Sequence, residues 1–183
     1  VGDSLIHDDP AFTGLARQPL AQEFARTGAS SSSFVVIANH FKSKGSVPDG
    51  AGEGNRDNGD GQGNANAIRV AQASALAAFA ARFADKPTLL VGDFNSYSQE
   101  DPVRALTARG WERVSGQGEA SYVYSGRSGS LDHVFANAAA TPLLAGVTSW
   151  AINAQESPAF EYSRAGMNAH LRVEADNPYR SSD

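Results

Sequence analysis

Gly92-Asp93-Phe94-Asn95 sets an acid and an amide two residues apart. The pair offers one carboxylate and one neutral carbonyl to a hard cation or a phosphate. Ahead of it, behind Pro87, the run Thr88-Leu89-Leu90-Val91 is β-branched and leucine-rich and predicts a buried strand. The carboxyl end of such a strand is where open sheets present reactive groups. An Asx turn closing the strand accounts for the same two residues, because Asp and Asn favour turns.

Two other strand ends carry comparable groups. His40 follows the apolar run Phe34-Val35-Val36-Ile37-Ala38, in Asn39-His40-Phe41-Lys42-Ser43-Lys44, and Asp132 with His133 opens the segment Asp132-His133-Val134-Phe135. Taken singly, each has a plain explanation as a strand-end histidine, a turn cap or a solvent-facing side chain. Taken together, a His, an Asp-x-Asn and an Asp-His arriving from neighbouring strands are the ingredients of metal-assisted phosphoryl or acyl hydrolysis.

The elements that must position these groups alternate strand and helix, with no repeat and no domain linker. From Gly45 to Gly63 the chain is rich in Gly, Asp and Asn, hence loop, and structureless loops beyond about a dozen residues are commonly functional or disordered. Residues 67–84 predict a helix, alanine-rich with Ile68, Ala71, Ala75, Leu76 and Phe79 at helical spacing and Pro87 beyond its end. A second helix is punctuated by Asp101 as N-cap, Pro102 at the first helical position and Gly110 as stop. Short strands are expected around residues 111–114, 122–124, 131–136 and 143–152, and residues 153–179 as an irregular excursion. The sum is an α/β layered fold with mixed strand directions.

Composition narrows the function classes. A chain of 183 residues is long enough for one domain with a real core, and without cysteine it has neither disulfides nor thiolate metal sites. No apolar stretch reaches the length of a membrane span. A formal net charge of −5 argues against a broad basic face for holding nucleic acid, though not against an enzyme that turns it over.

The segments 39–45, 59–63 leading into 66–73, 92–102, 129–133 and 178–183 resemble, in order, the motifs of the endonuclease/exonuclease/phosphatase superfamily. More narrowly they are similar to its bacterial extracellular nuclease branch, from about Arg17 to Asp183. The resemblance implies a DNase I-like fold, a four-layer α/β/β/α sandwich of mixed sheets. It also implies a divalent cation, Mg2+ or Mn2+, and hydrolysis of a phosphodiester in nucleic acid by in-line attack of water.

Position by position, His40 matches the histidine that contacts the scissile phosphate, and Asp93 and Asn95 match the pair that binds the phosphate and orients a water or a metal. Asp132 matches the carboxylate that orients a late base histidine, and Asp183 matches the late aspartate at the metal. Chemistry agrees: charge developing on non-bridging oxygens strengthens donors from His40 and Asn95, and an imidazole needs an acceptor on its far nitrogen. Arg69, near the start of the first helix, is a candidate contact to substrate phosphate, and a solvated helix-surface arginine is the competing reading. The loop acids Asp49, Glu53, Asp57 and Asp60 could hold Ca2+, but they fit no EF-hand spacing. His133 points to the face opposite Asp132 and is expected to be structural.

In the family, the aspartate matching Asp183 is followed by the base histidine, and a metal-binding glutamate lies well upstream of the histidine motif. Neither is found here, so residues 1–183 are expected to be the carboxyl-terminal portion of a single domain and inactive in isolation. A sandwich without its early strands exposes sheet edges and an inner face. Self-association, or an N-terminal fragment completing the fold, is therefore expected. The branch implies a secreted or periplasmic protein. A phosphomonoesterase or phospholipid phosphodiesterase on the same scaffold, and a non-catalytic calcium-stabilised binding module, are the competing readings.

Overall fold

The computed structural model describes residues 2–115, 120–124 and 127–148. Its centre is a six-stranded mixed sheet in the order β1-β2-β3-β4-β8-β5. The strands are β1 (Leu5–Ile6), β2 (Arg17–Arg26), β3 (Ala29–His40), β4 (Thr88–Asp93), β5 (Glu112–Arg113) and β8 (Asp132–Ala136). A separate two-stranded ribbon joins β6 (Tyr122–Tyr124) and β7 (Arg127–Gly129). The helices are α1 (Asn66–Ala80), extended by one 3₁₀ turn over Ala81–Phe83, and α2 (Asp101–Thr107).

β3 and β4 run parallel because the long loop and α1 connect them as a crossover, whereas β2 and β8 flank them antiparallel. Alternation along β3 sends Val35 and Ile37 to one face, where they are buried with Leu90 and Phe135 of the neighbouring strands. α1 covers that face with Ala73, Leu76, Phe79 and Ala80, and α2 adds Val103 and Leu106. Phe12, Phe41 and Phe94 close this core near the ends of the strands that carry the polar motifs.

The sheet's other face differs from the reading of β3 as a buried strand. Phe24 and Phe34 stack there at 5.7 Å yet are 45% and 41% exposed, and Val36, Leu89, Val91 and Val134 are half-buried. The apolar run is continuous because both faces of β3 are apolar; among the described residues the helices cover one. The described architecture is a mixed α/β sheet with helices on one face.

Three local expectations are corrected. Glu100, extended at φ −78° and ψ 157°, is the N-cap of α2, while Asp101 begins the helix and accepts Asn66 Nδ2 at 2.8 Å. Residues 143–148 do not form a strand; Thr141–Leu143 is a 3₁₀ turn started by Pro142, and the strand expected to reach 152 otherwise lies outside the described residues, as do residues 153–179. The ten-residue β2 was not anticipated as a strand, because polar Gln18, Gln22 and Glu23 interrupt any apolar pattern. Among the described residues, no helix is long and apolar enough to cross a membrane.

Candidate functional site

Strand register assembles the site. Arg17 on β2 pairs with His40 on β3, His40 with Asp93 on β4, and Asp93 with Asp132 on β8. Directly paired residues project to the same side of a sheet. Four polar side chains therefore form one row across the carboxyl ends of β3 and β4, on the face opposite α1 and α2. His40 and Asp93 are about a third exposed, and His40 Nε2 lies 3.7 Å from Asp93 Oδ2. Arg17 Nη1 reaches His40 Nδ1 from the other side.

Asp93 and Asn95 form the turn that their residue types allow, and it serves the site. Asn95 N donates to Asp93 Oδ1 at 2.8 Å, an Asx turn, with Asn95 in the left-handed region at φ 46°. Asn95 is buried and its Nδ2 donates to Phe41 O at 2.9 Å, tying the end of β4 to the residue after His40. One N–H of the amide remains for another acceptor. The turn and the site are thus the same structure.

Burial pushes the Asp93 carboxyl up, and the Asp132 charge adds to this; the Asn95 N–H and His40 work against both. A carboxyl pushed up by burial and by a neighbouring carboxylate is a donor that a divalent cation would relieve, and Mg2+ is commonly held by only one or two carboxylates plus waters. The residues present fit such an ion in part. Among the described residues no three His, Cys, Asp or Glu side chains gather as a metal cage. Asp183, the other metal residue expected from sequence, lies outside the described residues.

His133 faces away from the row, as expected. It is buried against Phe94 and Phe135, and its Nε2 meets Ser96 O at 2.8 Å, so it supports the turn containing Asn95 from beneath. Burial is the largest cause holding the imidazole below the ordinary histidine value, Arg113 adds to it, and Ser96 and Asp132 oppose.

Arg69 requires correction as a substrate contact. It is fully buried, and its guanidinium donates to Asn64 O at 2.6 Å and Gln62 O at 2.7 Å, with Glu100 Oε2 3.9 Å away. A group enclosed by protein carbonyls is not presented to a phosphate. Burial lowers its pKa, and Glu100 opposes this. The loop acids are likewise spent locally: Asp57 Oδ1 accepts Gly59 N, and Asp60 Oδ1 accepts Gln62 N, both at 2.9 Å. They do not converge on a calcium position.

Sequence reasoning missed Arg17, Gln72 and Glu100. Gln72 is buried in α1; its Oε1 accepts Lys42 N at 2.8 Å and its Nε2 donates to Ala11 O at 2.9 Å, fixing the backbone just after His40. The Arg-x-x-Gln spacing of Arg69 and Gln72 on one helix face was the available signal.

The mixed α/β sheet, with imidazole, carboxylates and an amide along the carboxyl ends of its central strands, is of the DNase I-like fold. The model of the Endonuclease/Exonuclease/phosphatase family matches residues 12–183, and the chain belongs to that family. Among solved structures, the human Nocturnin catalytic domain with bound sulfate is similar at TM-score 0.51 and 18% identity, covering 75% of this chain and 47% of that one. Beta toxin of Staphylococcus aureus, solved with bound magnesium ions, is similar at TM-score 0.45 and 15% identity, covering 66% and 42%. Sphingomyelinase C from Streptomyces griseocarneus is similar at TM-score 0.44 and 19% identity, covering 67% and 42%. The chain spans less than half the length of each of these structures. No curated protein matches.

Proposed function

We propose that the protein is a divalent-metal-dependent hydrolase of phosphodiester bonds in nucleic acid, acting on DNA and RNA outside the cytoplasm. The observation that carries this reading is the row His40, Asp93, Asp132 on one face, with Asn95 locked beside it. His40 donates from Nε2 to a non-bridging phosphate oxygen, an interaction that strengthens as charge develops there. Asp93 orients the attacking water, and Asn95 offers its remaining N–H to the phosphate. Asp132 serves as the acceptor that orients a base histidine. A Mg2+ or Mn2+ ion held by Asp93 and Asn95, with Asp183 as a further ligand, supplies charge neutralisation when bound.

One observation favours a small phosphoester instead. Lys44 and Arg69, cations near the ends of β3 and of the long loop, are engaged by Glu100, which leaves a phosphomonoester or phospholipid headgroup as the second reading. The whole protein, rather than residues 1–183 in isolation, incubated with plasmid DNA, RNA, a small phosphate ester and sphingomyelin vesicles separates the two. The nuclease reading expects DNA and RNA cleavage that EDTA abolishes and Mg2+ or Mn2+ restores. Cleavage of the small ester or lipid alone would overturn it.

A further inference from the structure

Glu100, Lys44 and Arg69 form an ionic cluster among the segments that follow β3 and β4 and the start of α1. Lys44 Nζ pairs with Glu100 Oε1, and Arg69 Nη2 lies 3.9 Å from Glu100 Oε2. Arg69 is fully enclosed, Glu100 is nearly so, and Lys44 is a quarter exposed, with its ammonium 4.6 Å from the centre of the Tyr97 ring. Each partner belongs to a different segment. Lys44 follows β3, Glu100 follows β4 at the N-cap of α2, and Arg69 in α1 holds the end of the long loop through Gln62 and Asn64.

Further contacts converge on the same clasp. Asn64 Nδ2 donates to Lys44 O at 3.3 Å, and Asp101 N donates to Gln62 Oε1 at 3.0 Å. Gly63, at φ 69°, lets the Lys44 stem lie on its backbone; a Cβ there would come within 3.1 Å of Lys44 Cδ. The cluster holds two cations and one anion, so removing the anion leaves two largely buried positive charges without their partner, which is costly.

We propose that Glu100 is a positioning residue of the site: by holding Lys44 and Arg69 it locks the segments leaving β3 and β4 at their carboxyl ends and keeps the Lys44 charge off the substrate. Its kinetic consequence rests on the hydrolase reading above; its structural consequence does not. With Glu100 neutral, Lys44 is released toward solvent, residues 42–46, 62–66 and 97–101 loosen together, and the backbone after His40 and Asn95 loses its brace. Mispositioning lowers turnover, while a freed cation beside the site strengthens attraction for a polyanion.

Hydrogen exchange and steady-state kinetics on Glu100→Gln and on Lys44→Met/Glu100→Gln, made in the whole protein rather than in residues 1–183 alone, test this. In Glu100→Gln, amides of those segments exchange about tenfold faster, while Val35–Ala38 and Leu89–Val91 keep parental rates. On DNA, kcat falls about tenfold or more and KM falls with it. In the double variant the kcat loss persists and the KM decrease disappears, because no cation is freed. Parental exchange in the segments, loosened segments with parental kcat, or a KM decrease that survives in the double variant would overturn the proposal. Should Glu100→Gln fail to fold, the double variant, which removes a cation with the anion, carries the exchange and kcat comparisons. A parent inactive on every phosphoester would count against the hydrolase reading alone, and exchange would still decide whether Glu100 is the lock.

Discussion

His40 Nε2 and Asp93 Oδ2 face each other 3.7 Å apart across the parallel β3–β4 pair, from residues that are direct register partners. Parallel strands deliver side chains of equal register to the same end and the same face. Imidazole and carboxylate therefore meet through topology rather than through a flexible loop.

Asp93 shows how this placement trades stability for chemistry. Burial raises its carboxyl above the ordinary value. A raised carboxylate contributes stability that is present below its unfolded pKa and is lost as pH rises through the folded value. At neutral pH the ionised group therefore opposes folding. Asp93→Asn should unfold at a higher temperature than the parent at pH 7, with the difference shrinking as pH falls below the ordinary carboxylate range. Phosphodiester cleavage should fall about a hundredfold or more. Calorimetry and cleavage assays check both; a less stable variant at pH 7 would contradict the assignment.

Arg17 determines which nitrogen of His40 carries the proton. A guanidinium has no lone pair to offer, so its contact at Nδ1 requires that nitrogen to be the acceptor and leaves the hydrogen on Nε2. Nitrogen NMR of the ring, at a pH well above the ordinary histidine range, should show one tautomer in the parent and a mixture in Arg17→Met. The same single tautomer in both proteins would remove Arg17 from the site.

His133 should make the fold sensitive to acid. Its buried imidazole is held below the ordinary histidine value. A depressed histidine contributes stability that is present above the unfolded pKa and is lost as pH falls toward the folded one. Below pH 6.5 unfolding free energy should therefore decline, by at most about 1.4 kcal/mol per pH unit for this one group. His133→Phe should be less stable at pH 8, since Ser96 O loses its donor, and should lack this component of the slope. Denaturant unfolding from pH 8 to pH 5 provides the comparison.

The apolar face opposite the helices, exposed among the described residues, should associate. Phe24 and Phe34 stack with large exposed areas beside half-buried Val36 and Leu89, and apolar patches of this kind mark interaction surfaces. Phe24→Ser/Phe34→Ser should shift sedimentation toward a smaller species, while a parent already monomeric at high concentration would oppose the expectation.

What the sequence revealed depended on whether the signal was local. β4 and α1 were legible because apolar period, Pro87 and an alanine-rich run act within one segment, and Asp93 and Asn95 because strand and turn adjoin. Arg17 and Glu100 were not, since their partners His40 and Lys44 lie 23 and 56 residues away in sequence and meet only through register and loop packing. Arg69 misled for a different reason: its partners Asn64 and Gln62 are only five and seven residues away, but they lie in a loop whose path around the guanidinium has no signature in residue type.

Gly92 is the backbone position on which the row depends. It pairs with Asn39, one step before the His40 and Asp93 pair, at φ 131°. A Cβ there would sit 2.1 Å from Asn39 O, and the obstacle is backbone rather than a movable side chain. Gly92→Ala must separate β3 from β4 at the site and should cost about 3 kcal/mol or more. Gly110→Ala isolates the conformational part, because Gly110 has φ 85° with nothing within 4 Å of a Cβ, and should cost about 1 kcal/mol. Urea unfolding of the two variants gives the contrast. Equal losses would mean that left-handed strain, and not the close approach of Asn39, is what requires glycine after Val91.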